Sequence, residues 1–468
     1  MLFKTTINGE KVEISEELLK KYDRAGPRYT SYPTAPIWTS DFGPKDFANA
    51  LTPATIASAD RRQRTNALSL YFHIPFCSKR CLFCGCSTIE TSRDDIGTRY
   101  IKALAEEIRL VTAHLGAKRK VSQLHYGGGT PTFLSCTQLE TLWESITARF
   151  AFTDDAEIGI EIDPRVTTSE QLKLLCNLGF NRISMGVQDF SEPVQNAIGR
   201  VEPFEHVQKA VKNARSCGFK SVNIDLIYGL PYQTKESFKA AIDKIIELSP
   251  DRIACFNFAY LPKMLPHQRK LPSEKLPSGN EKFGIFCRTI EQLCGAGYDF
   301  IGMDHFAKSD DELSAAARNG TLWRNFQGYT TKAGTDLIGF GLTSISDYAG
   351  SYAQNEKRLI NYYRAIEAQK LATIKGWKLT EDDLAVRKII RDLFCNAHAD
   401  ITNIPTPAEG WSASGGNHRT IELEQDGLIQ INDNIIHITP LGRLFIRNIA
   451  MAFDKYLNTA ENKFSRTI

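Results

Sequence analysis

From residue 68 onward, short runs rich in β-branched and aromatic residues alternate with longer stretches of helical period. The runs are LSLYFHIPF (68–76), VSQLHYGG (121–128), EIGIEIDP (157–164), NRISMGVQDF (181–190), SVNIDLIYGLP (221–231) and DRIACFNFAYLP (251–262), and GTRYIKALAEEIRLVTAHL and TKESFKAAIDKIIELS are among the stretches between them. A strand that is regained after a helix pairs in parallel with its predecessor. This alternation therefore restricts the chain to an α/β fold, either a doubly wound sheet or a (β/α) barrel.

The strand ends separate those two folds. Side chains alternate faces along a strand, which puts Tyr71 with His73, Glu161 with Asp163, Ser184 with Gln188, and Asn223 with Asp225. Each pair falls near the C-terminal end of its run, where barrel enzymes assemble their sites from several strands. Four such pairs in succession predict a polar cavity at the top of a barrel.

A chain of 468 residues has room for more than the barrel. We expect an N-terminal extension over 1–65 that lies over the site, the barrel over 66–368, and a mostly helical C-terminal domain over 369–468 with a hairpin in DGLIQINDNIIHIT. The extension contains YDRAGPRYTSYPTAP, too rich in Pro, Tyr and Arg for regular structure. Helix, hairpin and helix near the C-terminus would suit a DNA-binding winged helix. However, Lys+Arg 57 against Asp+Glu 54 and helices without a dense basic stripe argue for a packing or lid domain and no nucleic-acid partner. No signal peptide and no membrane span are read, so a cytoplasmic, monomeric protein is expected.

Seven of the eleven cysteines are scattered singly through apolar segments and read as buried free thiols of a reducing compartment. The other four crowd into CSKRCLFCGC, Cys77 to Cys86, with the spacing C-x3-C-x2-C-x-C. Structural zinc usually takes paired ligands from two separated knuckles, and no second C-x2-C is present. An iron-sulfur cluster suits thiolates at such short spacings. Cys77, Cys81 and Cys84 can each hold one iron of a four-iron cubane. Cys86 is an awkward fourth, because it would have to enter the same cube one residue after Cys84.

HIPFCSKRCLFC resembles the C-x3-C-x2-C signature of the radical S-adenosylmethionine (SAM) superfamily, in which the methionine part of SAM holds the fourth iron. Together, CGC, YDRAGPRYTSYPTAP, HYGGGTPT, IEIDPR, SMGVQDF, NIDLIYGLPYQT and RNFQGYTT resemble the oxygen-independent coproporphyrinogen III oxidase family, from about residue 22 to the C-terminal FSRTI. The resemblance implies a partial (β/α)6 barrel with the N-terminal extension and helical C-terminal domain. It also implies a [4Fe-4S] cluster on Cys77, Cys81 and Cys84, with Cys86 not a ligand, and two SAM molecules. The cluster-bound SAM would meet Tyr71, Phe83, Gly128, Glu161 and Ile345, and the second would meet Gly129, Thr130, Gln188, Arg200, Asp225 and Ala259.

Bottom-up chemistry supports several of these roles. Glu161 and Asp225 can accept from ribose hydroxyls, Arg200 can pair with a carboxylate, and a glycine run lets backbone approach a ligand closely. Tyr71 and His73 are the candidate catalytic residues, His73 in a supporting role near the cluster. Arg24, Arg28 and Arg324 are candidates for holding substrate propionates, because guanidinium forks match carboxylates.

The activity implied is conversion of coproporphyrinogen III to protoporphyrinogen IX by a SAM-derived 5'-deoxyadenosyl radical. Two propionates become vinyl groups, with a reduced flavodoxin or ferredoxin as electron donor. A related heme carrier and a heme-opening radical SAM methyltransferase are the alternatives, although relatives of the carrier kind lack the long extension and CGC.

Overall fold

The computed structural model describes residues 2–7, 9–52, 67–116, 118–402, 404, 418–457 and 464–467. Its centre is a 12-stranded sheet in the order Tyr298–Gly302, His305–Lys308, Arg252–Asn257, Ser221–Tyr228, Arg182–Gln188, Ala151–Ile162, Lys120–Gly128, Leu68–Ile74, Asp336–Phe340, Ile345–Tyr348, Ser351–Asn355, Thr373–Lys378. From Arg252–Asn257 to Asp336–Phe340 every neighbouring pair is parallel. All six runs expected from the sequence are strands here, laid down in chain order. Asp336–Phe340 returns beside the first of them, and the two outermost strands do not pair with each other. The result is an open, partial barrel.

Two boundaries move for identifiable reasons. The third strand begins at Ala151 rather than 157, because Lys120 and Val121 pair with Ala151 and Phe152 before a register shift hands Gln123 to Glu157. The last strand, Thr373–Lys378, pairs with Ser351–Asn355, so the sheet takes in residues beyond the boundary expected at 368/369. The boundary expected at 65/66 lies outside the described residues.

The helices that cover the barrel start where local chemistry starts them. Ser135 with Gln138, Thr168 with Gln171, and Ser278 with Glu281 form capping boxes, each satisfying two backbone N–H groups left over at a helix start. Between helices and sheet the core is aromatic. Fully buried Phe72 stacks on Phe340 at 4.8 Å and meets Tyr126 edge-on at 5.5 Å.

One carboxyl is buried in this layer. Helix Asp95–Leu115 carries Glu107, whose Oε2 accepts from Gly341 N and Tyr362 Oη, both at 2.7 Å, while Oε1 accepts from Asn355 Nδ2 at 2.5 Å. Tyr100, two turns earlier, donates to the His73 carbonyl at 2.7 Å and accepts from Leu342 N at 2.8 Å. The helix thereby fixes the chain at 341–342 against the end of the first strand.

The N-terminal segment folds as a hairpin, Leu2–Ile7 with Glu10–Ser15, then a short helix, then the irregular stretch anticipated around 23–34. Arg447 ties that stretch to the C-terminal tail. It donates to Pro27 O at 3.0 Å, to Gly26 O, and to Arg466 O at 2.9 Å. After the C-terminal hairpin the chain forms two short helices, Pro440–Arg443 and Ile446–Met451, in place of a single one. Gly442 packs directly on the Leu428 carbonyl of the hairpin, while the second piece turns Arg447 toward the N-terminal stretch. Among the described residues no helix is long and apolar enough to cross a membrane.

Candidate active site

The cysteine loop leaves the first strand through Phe76–Cys77, which pairs with Ile89–Glu90. It is pinned along its length. His73 Nε2 meets Ser87 O at 2.9 Å, His267 Nε2 meets Cys84 O at 2.7 Å, Gln268 Nε2 donates to Phe83 O at 3.2 Å, and Leu82 N donates to Ile198 O at 3.0 Å. Burial pushes the Cys77 thiol up to about 11, with smaller contributions from Cys84 and Cys81, so the three thiols lie within electrostatic reach of one another. Among the described residues no three His, Cys, Asp or Glu side chains converge on a single-ion site. One tetrahedral ion needs thiolates roughly 3.8 Å apart, whereas a cluster gives each thiolate its own iron. The donor set fits a multi-iron cluster.

Cys86 adjoins Cys84. The neighbouring thiols are coupled: Cys86 draws Cys84 down to about 7, and Cys84 together with burial pushes Cys86 well above its ordinary value.

Beside the loop stands a polar wall. Tyr71 Oη lies 3.1 Å from His73 Nδ1, and the Tyr71 ring stacks on His125. Burial holds His73 below its usual range, so it is neutral; Nε2–H donates to Ser87 and Nδ1 accepts from Tyr71. Glu161 receives His125 Nε2 at 3.2 Å and Gly128 N at 3.1 Å. Burial alone would raise the Glu161 carboxyl, but these two donors bring it below the usual range and keep it charged.

The glycines are where contact leaves no room. Gly128 has φ +118, and a Cβ there would sit 2.7 Å from the His73 ring; one on Gly129 would sit 2.7 Å from Phe76 O. Replacing Gly129 by alanine should therefore push the glycine strand off the cysteine loop. Iron retained after reconstitution should fall well below the wild-type content, and a full complement of iron would contradict the close packing.

The wall opens into a cavity of about 750 Å³ along the inner face of the sheet. Phe83, Cys84, Glu161, Gln188, Asp225 and Ala259 line it, Glu161, Gln188 and Asp225 as strand parity predicts, whereas Tyr71, His73 and Asp163 stand outside its lining. Asp225 accepts from Ser184 Oγ at 3.0 Å and Asn223 Nδ2 at 2.8 Å, and burial followed by the Glu161 charge pushes it up to about 6. Thr130 stands behind Cys77, its Oγ1 3.5 Å from the sulfur. Ile345 is not at the cavity; it packs with Trp38 and Tyr352 and pairs toward Gly339, the neighbour of Tyr71.

The arginines redistribute. Arg24 is exposed near Tyr22, away from the cavity, because its segment is held at the C-terminal tail. Arg324 gives its Nη1 to the carbonyls of Arg28, at 3.1 Å, and Tyr29, at 2.7 Å, and so ties itself to the extension, while its Nε is buried without a hydrogen-bond partner. Arg28 stays by the cavity rim, over Phe256 and paired with Asp304.

Several cavity residues were not anticipated. Arg182, Arg252, His305 and Gln327 line it, and His305 Nδ1, Gln327 Oε1 and Asn257 Oδ1 are buried without a hydrogen-bond partner, while Arg182 Nε pairs with Glu157 at 3.4 Å. Burial and the charges of Arg324, Arg28 and Arg252 pull His305 down to about 3, so it is neutral. Orphaned polar atoms around an open volume mark a site built for a polar ligand. His125, two residues before Gly127 on the same face, was within reach of the parity argument.

A partial barrel with three spaced thiols at one strand end and a carboxylate-bearing polar wall beside them defines a radical SAM protein, and the Radical SAM superfamily profile matches residues 71–245. The chain is 44% identical over 466 residues to the oxygen-independent coproporphyrinogen III oxidase of Synechocystis, covering 98% of each chain. It is 45% identical over 459 residues to that of Escherichia coli, covering 96% of this chain and 98% of the relative. The solved structure of coproporphyrinogen III oxidase from Escherichia coli, described as a radical SAM enzyme, superposes with a TM-score of 0.85 at 43% identity over 95% of this chain and 99% of the other. The chain belongs to the oxygen-independent coproporphyrinogen III oxidase family. A [4Fe-4S] cluster and SAM are the cofactors of that class.

Proposed function

We propose that this protein converts coproporphyrinogen III to protoporphyrinogen IX without O2, in heme biosynthesis, by oxidatively decarboxylating two propionates to vinyl groups. The observation that carries this reading is the near full-length identity, 44% and 45%, to relatives of that name, joined to a cavity that brings Cys84, Glu161 and Asp225 to one open volume. Cys77, Cys81 and Cys84 hold three irons. The fourth is left to the amino-acid end of a SAM molecule near Tyr71, Phe83, Gly128 and Glu161. A second SAM takes Gly129, Thr130, Gln188, Arg200, Asp225 and Ala259.

When bound, cluster and SAM supply one-electron chemistry able to remove hydrogen from a propionate carbon. The chain's own groups do the rest. Glu161, fixed by His125 and Gly128, accepts from ribose hydroxyls, and neutral His73 locks the loop at Ser87 without adding charge. Arg28 holds a propionate carboxylate at the rim, while aromatic walls exclude water. A reduced flavodoxin or ferredoxin supplies the electron, and the protein works as a cytoplasmic monomer.

The test is anaerobic: reconstituted protein, SAM, a strong reductant and coproporphyrinogen, with tetrapyrroles read after oxidation. Protoporphyrin or a mono-vinyl intermediate is the expected product. An intact cluster that yields neither would overturn the proposal.

A further inference from the structure

Two guanidiniums reach the sulfur of Cys81. Arg200 Nη1 lies 3.6 Å from Sγ and Arg165 Nη2 lies 3.9 Å away, within hydrogen-bonding range for sulfur. Asp163 aims both of them. Its Oδ1 takes Arg165 Nε at 3.0 Å, and its Oδ2 takes Arg165 Nη2 at 2.6 Å and Arg200 Nη1 at 3.0 Å. Behind Arg165 lies Glu202, fully buried, 3.9 Å from Arg165 Nε, with both carboxyl oxygens lacking a hydrogen bond. Burial and the nearby Asp163 charge push Glu202 up to about 7, so the second carboxyl does not fully cancel the second guanidinium.

Arg165 does not line the cavity, and it is linked to the groups assigned to SAM only through Asp163, which it shares with Arg200. Beyond the carboxylates of Asp163 and Glu202, its guanidinium meets the Cys81 sulfur. N–H groups directed at a cluster thiolate favour the more negative, reduced state, and they do so more strongly in a buried, low-dielectric setting.

We propose that Arg165 is a positioning residue for reduction of the cluster: by donating to the Cys81 thiolate it raises the cluster's midpoint potential. One electron enters from an external one-electron reductant, the cluster gains one negative charge, no bond breaks, and the guanidinium keeps its proton. The proposal rests on the three-thiolate cluster assigned above.

The experiment uses the full chain with its cluster reconstituted, without substrate. Iron and sulfide content are measured, and the cluster is titrated potentiometrically with the electron paramagnetic resonance signal of its reduced form as readout, in wild type, Arg165→Lys and Arg165→Ala. Iron content should be unchanged while the midpoint moves to more negative potential, further for alanine than for lysine. Loss of one charge-assisted hydrogen bond corresponds to a fall of about tenfold in the ratio of reduced to oxidised cluster at fixed potential. If alanine costs the cluster itself, the lysine variant decides. Equal midpoints with intact clusters, or loss of iron from both variants, would overturn the role for Arg165 alone. A wild-type chain that takes up no cluster would overturn the ligand assignment as well.

Discussion

Serine at Cys77, Cys81 or Cys84 leaves the reconstituted protein without its cluster, and decarboxylation falls to background. Serine at Cys86 leaves iron and the cluster's absorbance in place. The first half follows from ligand chemistry: a thiolate is a soft, readily ionised ligand for iron, and a serine hydroxyl at the same position is neither. With each thiolate on a separate iron, the remaining two cannot compensate. The second half follows from geometry. Cys86 follows Cys84 after a single intervening residue and would have to enter the same cube beside it, so its replacement takes no iron ligand away. Iron and sulfide analysis of the four variants decides it, and iron lost from Cys86→Ser would show that four cysteines, not three, hold the cluster.

Glu107→Ala should be the most damaging single change outside the site. It strands two buried donors, Gly341 N and Tyr362 Oη, takes from Asn355 Nδ2 one of its three acceptors, and removes the brace that holds 341–342 against the first strand. The expected loss is roughly 3 kcal/mol. Burial outweighs those donors and raises the Glu107 carboxyl from 4.5 to about 7. A raised carboxyl favours the protonated folded state, so its stabilisation is complete below about pH 4.5 and fades as pH rises through 7. The stability gap between wild type and Glu107→Ala should therefore narrow between pH 5 and pH 8, by on the order of 3 kcal/mol. Denaturant unfolding at the two pH values measures it, and a gap that widens with pH would mean the carboxyl is buried charged.

Much of this architecture was legible because it rests on periodicity. Strand parity alone placed Glu161, Gln188 and Asp225 on the cavity face. Asp163 shares that parity yet serves Arg165 and Arg200 beside Cys81, since it stands where the strand gives way to a turn. His267 and Gln268 were hidden in LPKMLPHQRKLP, a stretch with no period, although they hold the carbonyls of Cys84 and Phe83. Arg182 and Arg252 begin their strands, where a charged residue is easily taken for a boundary. Arg24 and Arg324 mark the limit of reasoning from residue type. A guanidinium matches a carboxylate, but it matches main-chain carbonyls as well, and only the fold decides which it meets.

The knot of hydrogen bonds from Arg447 to Gly26 and Pro27, with Tyr29 Oη donating to Asp454 at 3.0 Å, also orders events in time. A chain is made from its N-terminus, at about 5–20 residues per second. Six of the seven parallel strands and the cysteine loop are complete by Asn257, whereas Arg447 and Asp454 come almost two hundred residues later, roughly 10–40 s at that rate. During that interval Phe256, Asp304 and Arg324 already offer partners to the stretch around Arg28, and only its ties to Arg447 and Asp454 are still missing. On the ribosome the cysteine loop is therefore made well before the last ties of the N-terminal stretch can form.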